Sequence, residues 1–240
     1  DRVKRAFLDT TGVLIAGLRQ PTQMILARAL NASCDLDPGK SVTSYKDTRA
    51  YEQTPLWDKA CFYGIAAHSI EFDDIWTGMP GHPSAVLIPL ILVLGERLHI
   101  KGKDAIEAYL AGLEVQALLS KILMPLHHQK GFHSTSTTGV MGATIAAARQ
   151  LSLDLEKTRT AMGIAASMAS GLKRSFGTFT KQLQVGLAVR NGIFSVLLAR
   201  EGFTADRSIL DGVDGYIPVF YGESERAAEL LQKLGKVHAL

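Results

Sequence analysis

Residues 134–151 read STSTTGVMGATIAAARQL, and this stretch decides the fold class of the chain. Ser134 or Thr135 is suited to start a helix, and the small residues that follow recur at helical spacing. They would form one face that permits close contact with neighbouring helices: Gly139, Gly142, Ala143, Ala146 and Ala147. No stretch of the chain alternates convincingly with the two-residue period of a strand. The sequence therefore predicts an all-α fold, a large helical bundle.

Helical periodicity continues on both sides of this segment. Pro55 and Pro83 each open a helix, since proline suits the first helical turn. Asp104 is predicted to cap a helix that runs to about Leu123 and stops before Pro125. Further helices are predicted at residues 3–18, at 25–30 after Pro21, from Asp154 to about 170–171, at 180–200 and at 223–234. Residues 31–54 lose all periodicity and are predicted to form a long loop.

The chain length suits one large domain or two small ones, and we predict one helical domain over residues 1–240. Hydrophobic residues make up 47% and charged residues 20% of the chain, and the net charge of +3 is too small to indicate a nucleic-acid partner. The longest apolar run, residues 85–95, is about half of a membrane span and contains Pro89, so we expect no membrane segment. Cys34 and Cys61 lack CxxC and zinc spacing, which favours reduced cysteines and a cytoplasmic protein. Two thiolates are too few for an iron–sulfur cluster.

A turn rich in carboxylates precedes the helix that starts at Pro83. Glu71, Asp73 and Asp74 lie shortly before His82, and such crowding of charges perturbs pKa values and is typical of functional sites. The alternative is a solvated loop. A structural role would require the acids to cap the next turn or to pair with a base.

Two histidines stand directly before predicted helix starts. His82 precedes Pro83, and His133 precedes Ser134. The positive end of a helix lowers the pKa of a histidine, so we expect both imidazoles to be neutral and able to serve as bases. The alternative is that both are turn or capping residues. His68 is expected to be buried and could support the carboxylates, whereas His127 and His128 are expected to be a solvated pair at a helix end.

Lys181 lies in the first turn of an apolar helix, where a positive charge is unfavourable. A substrate carboxylate would offset that cost, and Thr178, Thr180 and the free backbone N–H groups would add donors. The alternative is an exposed surface lysine. No metal is expected, because HExxH is absent, and the lack of GxSxG argues against a serine nucleophile. Proton transfer beside an anion-binding lysine remains.

These segments, in this order, resemble the MmgE/PrpD family, which includes 2-methylcitrate dehydratase, cis-aconitate decarboxylase and iminodisuccinate epimerase. The resemblance covers nearly the whole chain and rests on the motifs at residues 67–74, 82–84, 112–115, 131–135, 177–181 and 202–204. It implies a smaller α+β lid domain expected after residue 240, a homodimer, and chemistry without metal or cofactor on a small di- or tricarboxylate.

The resemblance also implies roles for individual residues. His82, His133, Lys181 and the acidic Glu71 match active-site positions of the decarboxylase branch, and Asp74 is added here as a further catalytic candidate. Asp73, Ser134, Thr178, Thr180 and Lys181 are the candidate substrate-binding residues. The chain differs from the family pattern at three positions: Glu71 replaces the usual aspartate, Ile75 replaces a threonine of the decarboxylase branch, and Gln184 replaces a histidine.

The function that we expect is a metal-independent hydro-lyase similar to 2-methylcitrate dehydratase, an enzyme of propionate catabolism. His82 or His133 would remove a proton α to a carboxylate, and Lys181 would stabilise the enediolate. A decarboxylase or an epimerase would use the same pocket. The alternative outside enzymology is a helical scaffold or dimerisation protein without catalysis.

Overall fold

A computed structural model describes residues 1–34, 54–76, 78–220 and 229 of the chain. The predicted all-α fold is confirmed, because these residues form helices, one 3₁₀ turn and isolated bridges but no strand. In chain order the helices are α1 (Arg2–Gly17), α2 (Pro21–Cys34), α3 (Leu56–Ala67), α4 (Pro83–Leu98), α5 (Gly102–Leu123), α6 (Leu126–Gln129), α7 (Ser134–Thr137), α8 (Gly139–Gln150), α9 (Leu155–Ser167), α10 (Phe179–Arg200) and α11 (Tyr216–Phe220). The 3₁₀ turn is Lys173–Ser175.

Helix α8 is the hub of the bundle and packs against α4, α5, α9 and α10. Its predicted small face is buried, which confirms that part of the sequence interpretation. A Cβ atom on Gly142 would lie 2.3 Å from Cγ of Gln116, and one on Gly112 would lie 2.8 Å from the carbonyl oxygen of Gly142. The two glycines therefore allow α5 and α8 to cross at a distance that larger residues would prevent.

Glycines also bring α10 against α3, the pair of helices that carries the candidate site. A Cβ atom on Gly186 would lie 2.7 Å from the carbonyl oxygen of Cys61, and one on Gly64 would lie 3.0 Å from Cα of Gly186. This contact places the start of α10, with Lys181, beside the end of α3, with His68 as its C-cap.

Among the described helices, only α10 is long and apolar enough to suit a membrane span. Its 18-residue window has a mean hydropathy of 1.2, and 56% of that window is buried inside the bundle. Core helices of globular proteins meet the same two criteria, so length and composition make this helix weak evidence for a span. Its burial against α3, α8 and α9 accounts for its apolar composition.

Several predicted helix ends differ from the structure. Asp104 was predicted as the cap of α5, but the N-cap is Lys101, and Asp104 lies in the first turn, where a negative charge still favours the helix. Asp154 does cap α9, accepting a hydrogen bond of 2.8 Å from the backbone N–H of Lys157. Helix α9 ends at Ser167 rather than near residue 170, because the chain then extends to pair Leu172 with Phe132.

Two further predictions concern segments that lie mostly outside the described residues. The loop predicted from residue 31 begins later, since α2 continues to Cys34, and residues 35–53 lie outside the described part of the chain. The helix predicted at 223–234 also falls outside the described residues, apart from Glu229. The short helix α11 was not predicted. It packs Tyr216 into the bundle, where the tyrosine hydroxyl donates a hydrogen bond to the carbonyl oxygen of Thr137.

Candidate active site

The turn between α3 and α4 carries the predicted carboxylates and His82. Glu71 has a φ of 54°, so the chain adopts a left-handed conformation four residues after the end of α3 and bends back on itself. Trp76 closes the turn, with its backbone N–H donating to Gly81 and its carbonyl oxygen accepting from the N–H of Met79. The backbone N–H of His82 then donates to Oγ1 of Thr135. These bonds fix His82 beside the start of α7.

Asp73 binds two imidazoles through a single oxygen. Its Oδ2 lies 2.7 Å from Nδ1 of His68 and 3.1 Å from Nδ1 of His82, and the side chains of Asp73 and His68 have no exposed surface. An ionised carboxylate only accepts hydrogen bonds, so Nδ1 of His68 donates to it. Nδ1 of His82 also carries its proton, which faces both Oδ2 and the backbone carbonyl oxygen of Asp73, the latter at 3.4 Å. Burial alone would raise the pKa of Asp73, but the hydrogen bonds from His68 and His82 hold that pKa well below its usual range. We call these three residues the Asp73 cluster.

The pKa of His82 is raised, which corrects the prediction that a helix start keeps this imidazole neutral. Burial lowers the pKa of His82, but the hydrogen bond and negative charge of Asp73 outweigh burial. The side chain retains 15% of its surface exposed, so its remaining Nε2 can reach a substrate. His82 is therefore suited to hold a proton and donate it.

His133 is the opposite case, a buried imidazole that stays neutral. Its Nδ1 lies 2.7 Å from Oε1 of Gln184, and the amide nitrogen of Gln184 donates to the carbonyl oxygen of Leu172. This second bond fixes the amide orientation, so Nδ1 of His133 carries the proton and Nε2 carries a free lone pair. Burial, with the nearby charges of His68, Lys181 and His82, lowers the pKa of His133 to about 3. The direction agrees with the sequence prediction, but the main cause is burial.

Lys181 faces this site and is not the exposed surface lysine that was the alternative. Its side chain is 10% exposed, and Nζ lies 2.9 Å from Oε1 of Glu71. The hydrogen bond from Lys181 lowers the pKa of Glu71. Nζ also lies 5.1 Å from the centre of the Phe176 ring, and that ring makes an edge contact with His133. Lys181, Phe176 and His133 therefore form one continuous wall.

Asp74 was predicted to be catalytic, but its carboxylate oxygens contact the start of α4. Its two oxygens accept hydrogen bonds from the backbone N–H and the hydroxyl of Ser84, at 3.2 and 2.5 Å, which caps the start of α4. The Ser84 hydroxyl also contacts the hydroxyl of Tyr109 at 2.8 Å. Burial raises the pKa of Asp74. Capping, which was the alternative interpretation for this turn, accounts for these contacts.

The hydroxyl residues named as substrate ligands are spread over different environments. Thr178 is exposed and donates to the carbonyl oxygen of Ser175, and Thr180 lines a separate apolar cavity of about 260 Å³ between α2, α3 and α10. Ser134 is fully buried beside His133, and its hydroxyl has no partner among the described residues. Of the three, only Ser134 adjoins an imidazole of the site.

Two contributors to the site were not assigned a role from the sequence. Gln184 orients His133, and Phe176 contacts both His133 and Lys181. The three-residue spacing between Lys181 and Gln184 places both on one face of α10 and could have indicated a shared site. His68 was expected to be buried and to support the carboxylates, and it is buried against Asp73.

His127 was wrongly expected to be solvated. It is fully buried, its Nε2 lies 2.7 Å from Oγ1 of Thr137, and its ring stacks on Phe132 at 4.8 Å. Burial lowers the pKa of His127 to about 4. The aromatic rings of Phe132 and of Phe220 on α11 cover His127, and the sequence around His127 predicted neither contact.

The Asp73 cluster is also the group of described residues best suited to hold a metal ion. One ligand atom from each residue lies within 4.8 Å of the others, although their sequence spacing matches no metal motif. A cation would have to displace both Nδ1 protons that Asp73 now accepts, and it would be repelled by the ammonium of Lys181. The three side chains of the Asp73 cluster are therefore better suited to share protons than to bind a metal ion.

Comparison with known proteins identifies similar sequences over nearly the whole chain. The family model described as MmgE/PrpD N-terminal domain matches residues 1–229. Cis-aconitate decarboxylase of Homo sapiens is 32% identical over 222 residues, which cover 90% of this chain and 44% of that protein. Cis-aconitate decarboxylase of Mus musculus is 35% identical over 225 residues, with the same shares covered. The chain thus spans less than half the length of these curated relatives.

Proposed function

This chain belongs to the MmgE/PrpD family, and from that premise we propose that it supplies the acid–base groups of a lyase for a small di- or tricarboxylate. One observation carries the proposal. His82 and His133 each commit Nδ1 to an acceptor, while their pKa values move in opposite directions. Two groups whose environments separate their pKa values in this way are suited to act as acid and base.

The proposed roles follow from these protonation states. His133 is the base, because its pKa of about 3 leaves Nε2 unprotonated at neutral pH. His82 is the acid, because Asp73 raises its pKa and favours the imidazolium. Lys181 binds a substrate carboxylate through its free N–H donors and stabilises the negative charge that develops there. Glu71 holds the ammonium of Lys181 in place.

Decarboxylation is the finer reaction that the relatives favour. The curated relatives are named cis-aconitate decarboxylases, whereas the sequence alone favoured 2-methylcitrate dehydratase. In decarboxylation, the bond to one carboxylate breaks, carbon dioxide leaves, and the electron pair stays on carbon until His82 donates its proton there. Lys181 would stabilise the intermediate anion through the remaining carboxylate.

A hydro-lyase is the second candidate, and the state of His133 favours it. Loss of carbon dioxide requires an acid but no base, whereas elimination of water requires both. His133 would remove the proton α to a carboxylate, and His82 would protonate the departing hydroxyl. A buried, neutral imidazole with an oriented lone pair would have a direct use in that reaction. A homodimer, a cytoplasmic location and independence of metals and cofactors belong to the same proposal.

The test uses the full-length protein that contains this chain. Cis-aconitate and 2-methylcitrate are incubated with it separately in D₂O, and products are followed by NMR. Release of carbon dioxide with deuterium incorporated at the carbanion carbon identifies the decarboxylase, and release of water identifies the hydro-lyase. Lys181→Ala should reduce turnover of either substrate by at least ~100-fold, and His133→Ala should do so for elimination of water, the reaction that needs a base.

Matched controls separate chemistry from folding. Lys103→Ala removes a lysine whose side chain is 85% exposed, and His99→Asn preserves the left-handed conformation that position 99 adopts. Both control variants should retain wild-type turnover. Full activity of Lys181→Ala with either substrate, or of His133→Ala in elimination of water, would refute the proposed roles. Failure of the wild-type protein to bind either tricarboxylate by calorimetry would instead favour the scaffold alternative.

A further inference from the structure

His68 is a buried imidazole that the proposed chemistry does not use. Its side chain has no exposed surface, so it is closed to substrate, and its Nε2 has no partner among the described residues. Its contact with Asp73, at 2.7 Å, is shorter than the 3.1 Å contact of His82 with the same oxygen. The ring of His68 also packs edge-on against the ring of His82, at 4.7 Å between centres. His68 therefore makes the closer contact with the shared oxygen of Asp73.

Sharing one oxygen has a chemical consequence for both rings. Each hydrogen bond that a carboxylate accepts disperses part of its negative charge and weakens its attraction for the next donor. Oδ1 of Asp73 is buried without a partner, so Oδ2 and its two imidazoles carry almost all of the polar contact of this side chain. Removal of one imidazole would leave the other with the full attraction of the carboxylate.

We propose that His68 is a positioning residue that divides Oδ2 of Asp73 between two imidazoles and thereby sets how tightly His82 holds its proton. Without His68, the imidazolium of His82 would be bound too strongly to transfer its proton readily. This inference rests on the proposed acid role of His82. It assigns His68 no contact with substrate.

The charged and titratable groups around His82 come from four elements. The turn contributes Glu71, Asp73 and Asp74, α3 contributes His68, the start of α7 contributes His133, and α10 contributes Lys181. Among them, Asp73 accepts a hydrogen bond from the ring of His82, and Lys181 opposes its protonation through charge. A substitution at His68 leaves the other five groups in place. Its effect on His82 would therefore pass mainly through Asp73.

The test compares variants that differ in the donor they present to Asp73. His68→Leu removes the donor, whereas His68→Asn places an amide N–H near the position of Nδ1. The titration of His82 is measured by ¹⁵N NMR on the full chain, with its signal assigned by its loss in His82→Asn. We expect the midpoint to rise by about one pH unit in His68→Leu, the size of one hydrogen bond to a charged group, and to stay at the wild-type value in His68→Asn.

The high-pH limb of kcat/KM in the full-length enzyme should move upward with the NMR midpoint, since it reports the acid. An unchanged or lower midpoint in His68→Leu would overturn the proposal, as would an equal shift in His68→Asn. If the leucine variant does not fold, His68→Gln presents its amide near the position of Nε2 and should show the same upward shift. The NMR midpoint needs no substrate, so this test stands apart from a failure of the lyase assignment.

Discussion

Gln184→Glu is the substitution that most directly tests the assignment of His133 as base. The new side chain has the same shape as glutamine and keeps an acceptor at the 2.7 Å contact with Nδ1 of His133. Its negative charge, however, favours the imidazolium, and Lys181 one turn away favours the ionised form of the glutamate. An opposite charge at this range raises a histidine pKa by about 1–3 units. The pKa of His133 should therefore rise from about 3 to about 4–6.

The sign of the pH effect follows from the neutral form being the active one. Below its pKa, His133 is protonated and cannot accept a proton, so the low-pH limb of kcat/KM should move upward by the same 1–3 units, roughly. The assay is the pH dependence of kcat/KM for elimination of water from 2-methylcitrate by the full-length protein, with ¹⁵N NMR of His133 as a second measure. Gln129→Glu, an exposed residue on α6, controls for the added charge. A low-pH limb that does not move in Gln184→Glu would refute the reasoning.

The same substitution has a separate effect on stability. The amide nitrogen of Gln184 donates to the carbonyl oxygen of Leu172, and glutamate cannot replace that donor when ionised. Leu172 is an exposed residue, so loss of this hydrogen bond should cost about 0.5–1.5 kcal/mol. Chemical denaturation at neutral pH should detect a loss of this size, partly offset by the stronger contact with His133. Because the two effects have different pH dependences, they can be separated in one variant.

Three further predictions concern stability and metal dependence. The folded-state pKa of His127, about 4, lies below its unfolded value near 6.5, so the unfolded state binds the proton first. The free energy of unfolding should therefore fall by up to about 3 kcal/mol as pH decreases from 6.5 to 4. Urea denaturation at several pH values should show this fall, and an equal dependence on pH in His127→Phe would contradict it. Gly142→Ala would press Cβ against Gln116 and should lower the free energy of unfolding by about 1–3 kcal/mol, whereas Gly12→Ala, with open space around it, should be neutral or stabilising. Extended dialysis against EDTA should leave turnover unchanged; activity that is lost and then restored by Zn²⁺ would show instead that the Asp73 cluster holds a metal.

Local sequence signals were sufficient for the long helices, but not for α11 or for the contributions of Gln184 and Phe176 to the candidate site. Proline at a helix start, small residues at helical spacing and glycine-marked turns each act within a few residues, so Pro83 and the face around Gly142 were correctly interpreted. The segments that carry His82, His133 and Lys181 were recognised in the same way. Their convergence depends on helix packing, which the resemblance suggested and the close contact of α3 with α10 explains.

Protonation states were less accessible from the sequence because they depend on contacts between distant residues. The helix-dipole argument gave the wrong sign for His82, since the carboxylate of Asp73 outweighs both burial and the helix end. His127 was misjudged for a related reason: the aromatic ring of Phe220 that helps to bury it lies far away in the sequence. A histidine pKa is set by its nearest neighbours in space, and the sequence around it contains only some of them.

The left-handed backbone at Glu71 lowers stability at a residue whose carboxylate contacts Lys181 in the candidate site. A residue with a side chain costs about 1–2 kcal/mol in this conformation relative to the right-handed one, and glycine would remove most of that cost. Glycine would also delete the carboxylate that holds the ammonium of Lys181. A selection for thermal stability alone would therefore favour replacement of Glu71, and a selection that includes turnover would oppose it. Position 71 is where the two demands on this protein can be separated by directed evolution.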